Sequence, residues 1–447
     1  MSGMQSQVTG AADTIVALSS GALPAGIAVV RASGPTALAL AASVAGSCVA
    51  DRRARLATFR DPATGEAIDR GLLLAFAGPD TVTGEDLAEF HCHGGPAVVR
   101  ALIRALVEAD GVRLAEAGEF SRRGFLSGKL DLSAVEGLGD LIAAETESQR
   151  KQALMQSGGF IAGRVEAWRS RLVRALAMLE SSLDFADEDD VPDDADAMAL
   201  ADVHALAEEI GAELARGDRG ERLRRGLEIA IVGPPNAGKS SLLNALARRD
   251  VAIVTAVPGT TRDVLEVDLD LGGYPVRLLD TAGLRETEDP VEAEGIRRAH
   301  GRAATADVLL LLVPPEARVS RETFAGHRSV LRVATKADLG TAGAGGDVDV
   351  AASVVTPGGL ADLIARLEAL ARDALAGGED MLVTRERHRI ALGEAESELR
   401  WSLAPDMPTE ARAEHLRRAA VAFGRLTGRI DADEVLGAIF STFCIGK

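Results

Sequence analysis

The sequence predicts a multidomain α+β and α/β protein, with a small α+β domain first and then a helical domain into which an α/β domain is inserted. Three patterns carry this prediction. Up to about residue 125, short β-like runs at 26–30, 72–76 and 87–91 alternate with Gly/Pro turns and one helical stretch near 97–109. Beyond Leu130 the spacing turns helical: Ile161, Val165, Trp168, Leu172, Leu176, Leu179 and Leu183 draw one apolar stripe down a helix that must pack against others. Helical pattern continues to about Arg216, yields to an α/β segment over about 227–376, and returns over about 385–443, where Val435, Leu436, Ile439, Phe440 and Phe443 form the last apolar face. The expected boundaries are 1–125 for the N-terminal domain, 126–220 and 379–447 for the halves of the helical domain, and 221–378 for the insert.

Composition narrows the function classes. The 447 residues carry 49 Lys+Arg against 67 Asp+Glu, a net charge of −18, so phosphate is repelled overall and any nucleic-acid role needs a basic patch or a basic partner. Arg412, Arg417, Arg418, Arg425 and Arg429 are the candidate patch. A content of 47% hydrophobic and 26% charged residues excludes a mostly disordered chain. Cys48, Cys92 and Cys444 are too few and too scattered for a disulfide framework or a cysteine-rich zinc module, which fits a reducing compartment. Apolar stretches fall short of the ~20 residues that cross a bilayer, so a cytoplasmic protein with no membrane span is expected. The acids Asp184, Asp187, Glu188, Asp189, Asp190, Asp193, Asp194 and Asp196 lack the regular spacing of a calcium loop and read as a solvated linker.

The insert opens on chemistry. Residues 227–232 read as a buried strand that runs into Gly233-Pro-Pro-Asn-Ala-Gly238-Lys239-Ser240 and then a helix, the context that makes G-x-x-x-x-G-K-S a P-loop. Its glycines let backbone N–H groups converge on phosphate, Lys239 reaches the terminal phosphates, and Ser240 can ligate Mg²⁺. An alternating run from Leu265 turns at Gly272-Gly273 into a second strand, a hairpin ending at Asp280-Thr281-Ala282-Gly283. Asp280 can hold the Mg²⁺ shell and Gly283 can offer its N–H to the γ-phosphate, while Thr261 of Gly259-Thr260-Thr261-Arg262-Asp263 offers a second Mg²⁺ ligand. Thr335-Lys336-Ala337-Asp338 favours GTP over ATP, because a carboxylate accepts from the ring N–H and exocyclic amine of guanine and repels the ring acceptor of adenine. Thr335 stands where the guanine motif of translation-factor GTPases has Asn, and Ser353-Val354 where Ser-Ala is usual. The Gln that orients water in Ras-like enzymes is replaced by Leu284, leaving Glu286, Glu288, Asp289, Glu292 and Glu294 as acidic candidates and Arg285 as a charge stabiliser. His91 and His93 share a strand face, but with no third ligand placed they read as packed or hydrogen-bonded side chains.

The P-loop with Asn236, Gly-Thr-Thr-Arg-Asp, Asp-Thr-Ala-Gly-Leu-Arg-Glu at 280–286 and the terminal Phe443-Cys444-Ile445-Gly446-Lys447 together resemble the MnmE (TrmE) family of tRNA modification GTPases. Asp13-Thr-Ile-Val-Ala17, Thr83-Gly-Glu-Asp86, His91-Cys-His-Gly-Gly95, Gly118-Glu-Phe-Ser121 and Lys129-Leu-Asp-Leu132 extend the likeness over nearly the whole chain; residues 19–26 depart from it. The resemblance implies a Ras-like P-loop GTPase domain whose GTP-binding set also includes Ala237, Ser241, Ala256 and Pro258, with Lys239 and Glu292 as catalytic groups, Glu292 at the water-orienting position. It implies potassium-assisted hydrolysis on G-domain dimerisation, with Asn236, Thr255, Val257 (through its carbonyl) and Thr260 as potassium ligands. The N-terminal folate-binding-like domain is then expected to dimerise and to hold a 5-formyl- or methylene-tetrahydrofolate through Arg31, Glu89, Lys129 and Lys447, with Cys444 beside the folate and tRNA site. A homodimer acting with an FAD-dependent partner, MnmG, in a heterotetramer or larger complex would add a carboxymethylaminomethyl or aminomethyl group to carbon 5 of the wobble uridine of certain tRNAs. Two alternatives are a ribosome-assembly or translation-type regulatory GTPase, which predicts a basic RNA-binding appendage, and a P-loop ATPase, against which Asp338 stands.

Overall fold

The computed structural model describes residues 13–184, 195–234, 236–249, 251–253, 266–280, 305–316, 329–340, 348–429 and the single positions 439, 443 and 446. The chain divides into two compact units, 1–139 with 424–447, and 140–423.

In the first unit, β1 (Thr14–Leu18), β2 (Ala25–Ser33), β3 (Arg55–Arg60), β4 (Ala67–Phe76), β5 (Leu87–Gly94) and β6 (Val112–Leu114) form one sheet in the order β3-β4-β5-β2-β1-β6. The pairing is antiparallel except between β1 and β6. Alternation of side chains divides its two faces. Val16, Val30, Ala32, Leu73, Ala88 and Phe90 are buried under α1 (Ala37–Ala45) and α2 (Pro96–Val107). Ile15 and Ala17 point the other way and pack with Phe120 of α3 (Glu119–Leu126).

A charge network closes the α3 side of this sheet. Arg123, 6% exposed, meets Asp13 at 2.9 Å, Glu85 at 3.1 Å and Glu119 at 3.0 Å, while Arg113 bridges Glu119 and Asp13. Ser33 Oγ donates to Glu85 at 2.8 Å. Burial alone would raise the carboxyls of Asp13 and Glu119, but the hydrogen bonds and charge of Arg113 and Arg123 hold both below the ordinary range. Three of the segments singled out in the sequence, around Asp13, Glu85 and Glu119, thus meet as one ionic cluster that secures the sheet.

The second unit combines helices with the inserted α/β layer. The predicted stripe lies on α6 (Phe160–Asp184), where Ile161, Val165, Trp168, Leu172 and Leu179 are buried, with Ala175 rather than Leu176 at the fifth contact. Leu183, like Val435, Leu436 and Phe440, lies outside the residues whose side chains are described. Trp168 stacks on Phe423 of α11 (Thr409–Thr427) with ring centroids 6.1 Å apart, and its indole N–H donates to Glu209 at 3.0 Å. Glu209 lies on α7 (Ala195–Arg225), which runs past Arg216, where the sequence pattern ends. Gly217 and Gly220 explain the difference: a Cβ at either would collide with Val383, at 2.9 Å from its side chain and 2.3 Å from its carbonyl oxygen. Close packing therefore overrides the low helix propensity of glycine. The returning helical segment is two helices, α10 (Glu386–Ser402) and α11.

The inserted sheet consists of β7 (Leu227–Val232), β8 (Glu266–Leu271), β9 (Tyr274–Asp280), β10 (Val308–Val313), β11 (Val330–Ala334) and β12 (Val350–Ala351), in the order β12-β11-β10-β7-β9-β8. Only β8 and β9 pair antiparallel. Strand β10 is buried throughout, and α8 (Lys239–Ala247) and α9 (Ala361–Leu375) complete the core. The β8–β9 turn, Gly272-Gly273, docks on the helices: the backbone N–H and hydroxyl of Ser148, on α5 (Glu147–Ser157), both donate to the Gly273 carbonyl, at 3.1 and 2.6 Å.

Trp168→Ala is expected to lower stability by about 3–5 kcal/mol in denaturant titrations followed by far-ultraviolet circular dichroism, through lost packing and the cavity left behind. For Glu119 the depressed folded-state pKa means that its stabilisation is present above the unfolded value of about 4.3 and fades as pH falls through the lower folded value. Glu119→Gln should therefore be less stable than the parent at pH 7, with the gap narrowing below about pH 4 in a series of thermal melts.

Candidate functional site

Parallel strands place their C-terminal ends along one edge of the inserted sheet, where ligands of open α/β sheets bind. The P-loop leaves β7 there. Gly233 must be glycine, since a Cβ would lie 2.8 Å from the Leu312 carbonyl oxygen on β10. Asn236 (φ 62°) and Gly238 (φ 91°) adopt left-handed backbone, which folds the loop round to start α8 at Lys239. The first-turn N–H groups of an α-helix have no partner within it and its N-terminus carries positive potential, so the start of α8 favours phosphate. Lys239 Nζ donates to the Gly233 and Pro234 carbonyls at 2.7 and 3.2 Å, which holds its cation over the loop. Ser240 Oγ donates to Asp280 Oδ2 at 3.2 Å, so a hydroxyl from α8 and a carboxylate from the end of β9 converge, hard oxygen donors of the kind Mg²⁺ takes. Ala237 is buried beneath the loop, while Asn236, Ser240 and Ser241 are exposed.

Farther along the same edge, Thr335 follows β11, and its hydroxyl donates to the Ala237 carbonyl at 2.8 Å and ties this segment to the P-loop. Lys336 has left-handed backbone (φ 53°), and its Nζ lies 2.9 Å from Glu316 Oε1. Asp338 is exposed and accepts from Ser353 Oγ at 2.7 Å, which orients its carboxylate. Glu316 escaped the sequence reading, because nothing in its spacing relates the loop after β10 to the one after β11.

Several expected residues lie outside the described ones: Thr255, Ala256, Val257, Pro258, Gly259, Thr260, Thr261, Thr281, Ala282, Gly283, Leu284, Arg285 and Glu292, as well as Cys444 and Lys447.

In the first unit, register sets Ala17, Arg31 and Glu89 side by side across β1, β2 and β5, on the face opposite α1 and α2. Arg31 donates to Glu89 at 2.8 Å and lies over the Phe120 ring, 5.7 Å from its centroid. His91 Nε2 is 3.3 Å from Glu89, and His93 Nδ1 is 2.8 Å from Asp69, so each histidine has its own carboxylate. The tail returns to this sheet: Ser19 Oγ donates to the Gly446 carbonyl at 2.8 Å, and a Cβ at Gly446 (φ 100°) would overlap the Leu18 carbonyl. Lys129 is exposed, with its side chain passing near Gly84. The structure thus pairs Arg31 with Glu89 and sets Gly446 against Leu18 and Ser19 at the end of β1.

At least three of the five candidate arginines have partners within the chain. Arg412 donates to the carbonyls of Ser402, Ala404 and Met407 and closes the C-terminal end of α10, while Arg417 and Arg418 pair with Glu180 and Glu414. Arg417 and Arg418 stay about half exposed in these pairs, with 50% and 59% of their side chains accessible.

Comparison with known proteins adds an independent line. Residues 132–444 match the family model of the MnmE helical domain, and residues 14–129 that of the GTP-binding protein TrmE N-terminus. The tRNA modification GTPase MnmE of Azorhizobium caulinodans is 52% identical over 441 residues, covering 98% of this chain and 100% of that one. The proteins of the same name from Rhodopseudomonas palustris (strain BisB5) and Methylorubrum populi are 50% and 51% identical, each covering 97% of this chain and 99% and 98% of their own lengths. Half of the residues shared over nearly the entire length, with both family models matched in order, place the chain in the MnmE family of tRNA modification GTPases.

Proposed function

We propose that this chain hydrolyses GTP and couples that cycle, with the FAD-dependent partner MnmG, to attachment of a carboxymethylaminomethyl or aminomethyl group to carbon 5 of the wobble uridine of certain tRNAs. The observation that carries the reading is the convergence of Lys239, Ser240, Asp280 and Asp338 on one edge of the inserted sheet. Lys239 and the first turn of α8 bind the phosphates, and Asp338, oriented by Ser353, accepts from the N1–H and 2-amino group of guanine. Ser240 and Thr261 would hold Mg²⁺, with Asp280 beside it. An exposed Asn236 on left-handed backbone, with Thr255, Thr260 and the Val257 carbonyl, would hold K⁺, for which neutral oxygens suffice. When bound, these ions neutralise charge that develops on the phosphates. Glu292 orients the attacking water.

The Arg31–Glu89 pair and the returning tail support the first unit as the folate site: Glu89 suits a pterin's donor edge, and Arg31, Lys129 and Lys447 suit an acidic glutamate tail. Cys444 would lie beside the folate and tRNA site, as the family resemblance implies. When bound, the tetrahydrofolate supplies the one-carbon unit. A homodimer joined through the N-terminal domains, with G domains that meet during hydrolysis, completes the assembly, and the cytoplasm is its compartment.

Glu292→Ala should abolish GTP turnover while equilibrium binding of GTP persists; unchanged turnover would reject the assignment. Nucleoside analysis of tRNA from a strain lacking this chain should show loss of the modified wobble uridine, restored by the parent chain and not by Glu292→Ala. A normal nucleoside profile in that strain would instead favour a regulatory GTPase.

A further inference from the structure

We infer that this chain makes no use of guanine N7, because the donor of Thr335 is committed to the P-loop. The inference rests on the guanine-site reading above and goes beyond it in saying which ring atom of the base is not read.

A threonine side chain has one proton to donate. That of Thr335 goes to the Ala237 carbonyl, 2.8 Å away in a buried hydrogen bond, and the backbone N–H of Thr335 goes to the Val313 carbonyl at 3.1 Å. Thr335 is 6% exposed and Ala237 1% exposed. Turning the hydroxyl toward a base would leave the Ala237 carbonyl unpaired in a buried place, so the donor stays where it is. A carboxamide at this position has two N–H groups and can serve the loop carbonyl and a ring nitrogen together; a hydroxyl cannot.

Guanine offers only acceptors, N7 and O6, on its imidazole side, and only donors, N1–H and the 2-amino group, on the side that a carboxylate reads. Lys336, the cation of the same segment, is drawn to Glu316 at 2.9 Å. Asp338 by contrast is exposed and held in place by Ser353. N7 is thus left without a donor from Thr335 or Lys336. A site rejects an analogue strongly only when the missing atom leaves a site group unpaired. Loss of the 2-amino group does this to Asp338, whereas replacement of N7 by C–H does nothing to Thr335, which is already paired.

The test is competition binding to the full-length chain with GTP, 7-deaza-GTP, inosine triphosphate and ATP, repeated with Thr335→Asn. For the parent chain, 7-deaza-GTP should bind within about twofold of GTP, and inosine triphosphate at least about tenfold more weakly. Thr335→Asn should create a preference for GTP over 7-deaza-GTP of about twofold to tenfold, the range of one added hydrogen bond. A penalty above about threefold for 7-deaza-GTP in the parent chain overturns the inference, and that measurement stands even if the variant fails to fold. Equal binding of inosine triphosphate and GTP overturns the role given to the 2-amino edge. Failure of GTP itself to bind, or ATP binding equally well, would instead remove the guanine-site reading beneath it.

Discussion

Strand β7 is hydrogen-bonded in parallel to β9 along residues 227–231 and to β10 along residues 229–232, and the nucleotide edge of the protein depends on that double pairing. Because three strands point the same way, the P-loop after β7, Asp280 at the end of β9 and the Thr335 segment after β11 emerge on one side. Tight spacing between β7 and β10 also excludes any side chain at position 233, since the Leu312 carbonyl occupies that space. Loop shape and strand pairing are therefore one constraint: a sheet packed this closely needs glycine at the exit of β7, and the glycine lets the backbone wrap a phosphate.

The same sheet reaches the helical layer through its hairpin. Ser148 closes on the Gly273 carbonyl with two hydrogen bonds, and Gln152 on the next turn of α5 donates to the carbonyls of Gly220 and Gly378 at 3.1 and 2.8 Å. One helix thus satisfies backbone groups from the hairpin, from α7 and from the exit of α9. Such buried carbonyls would be costly if left unpaired, so these polar residues act as joints rather than as chemistry. The first unit follows a similar logic, with Arg123 and Arg113 gathering three carboxylates from distant parts of the chain on the side of the sheet that also carries Arg31 and Glu89.

Much of this was legible from local pattern. The short β-like runs of the first domain, the apolar stripe of α6 and the strand–loop–helix context of the P-loop depend on neighbours within a few residues, and the structure places those elements where the spacing put them. The extension of α7 through Gly217 and Gly220 was not legible, because only the approach of Val383 makes glycine favourable there. Nor could a count of arginines show that Arg412 is a helix-end donor.

What the sequence alone determined was the order of the elements and the chemical kind of the groups in the insert: a lysine and a serine in a P-loop, and a carboxylate in a Lys-x-Asp segment. Those follow from residue type and short-range spacing. Only the tertiary structure decided what each polar atom is bonded to: Thr335 to Ala237, Lys336 to Glu316, Gly446 to Ser19 and Arg123 to Asp13. Partners up to 427 positions apart meet solely through packing, and hydrogen-bond direction follows from that meeting and not from the order of residues along the chain.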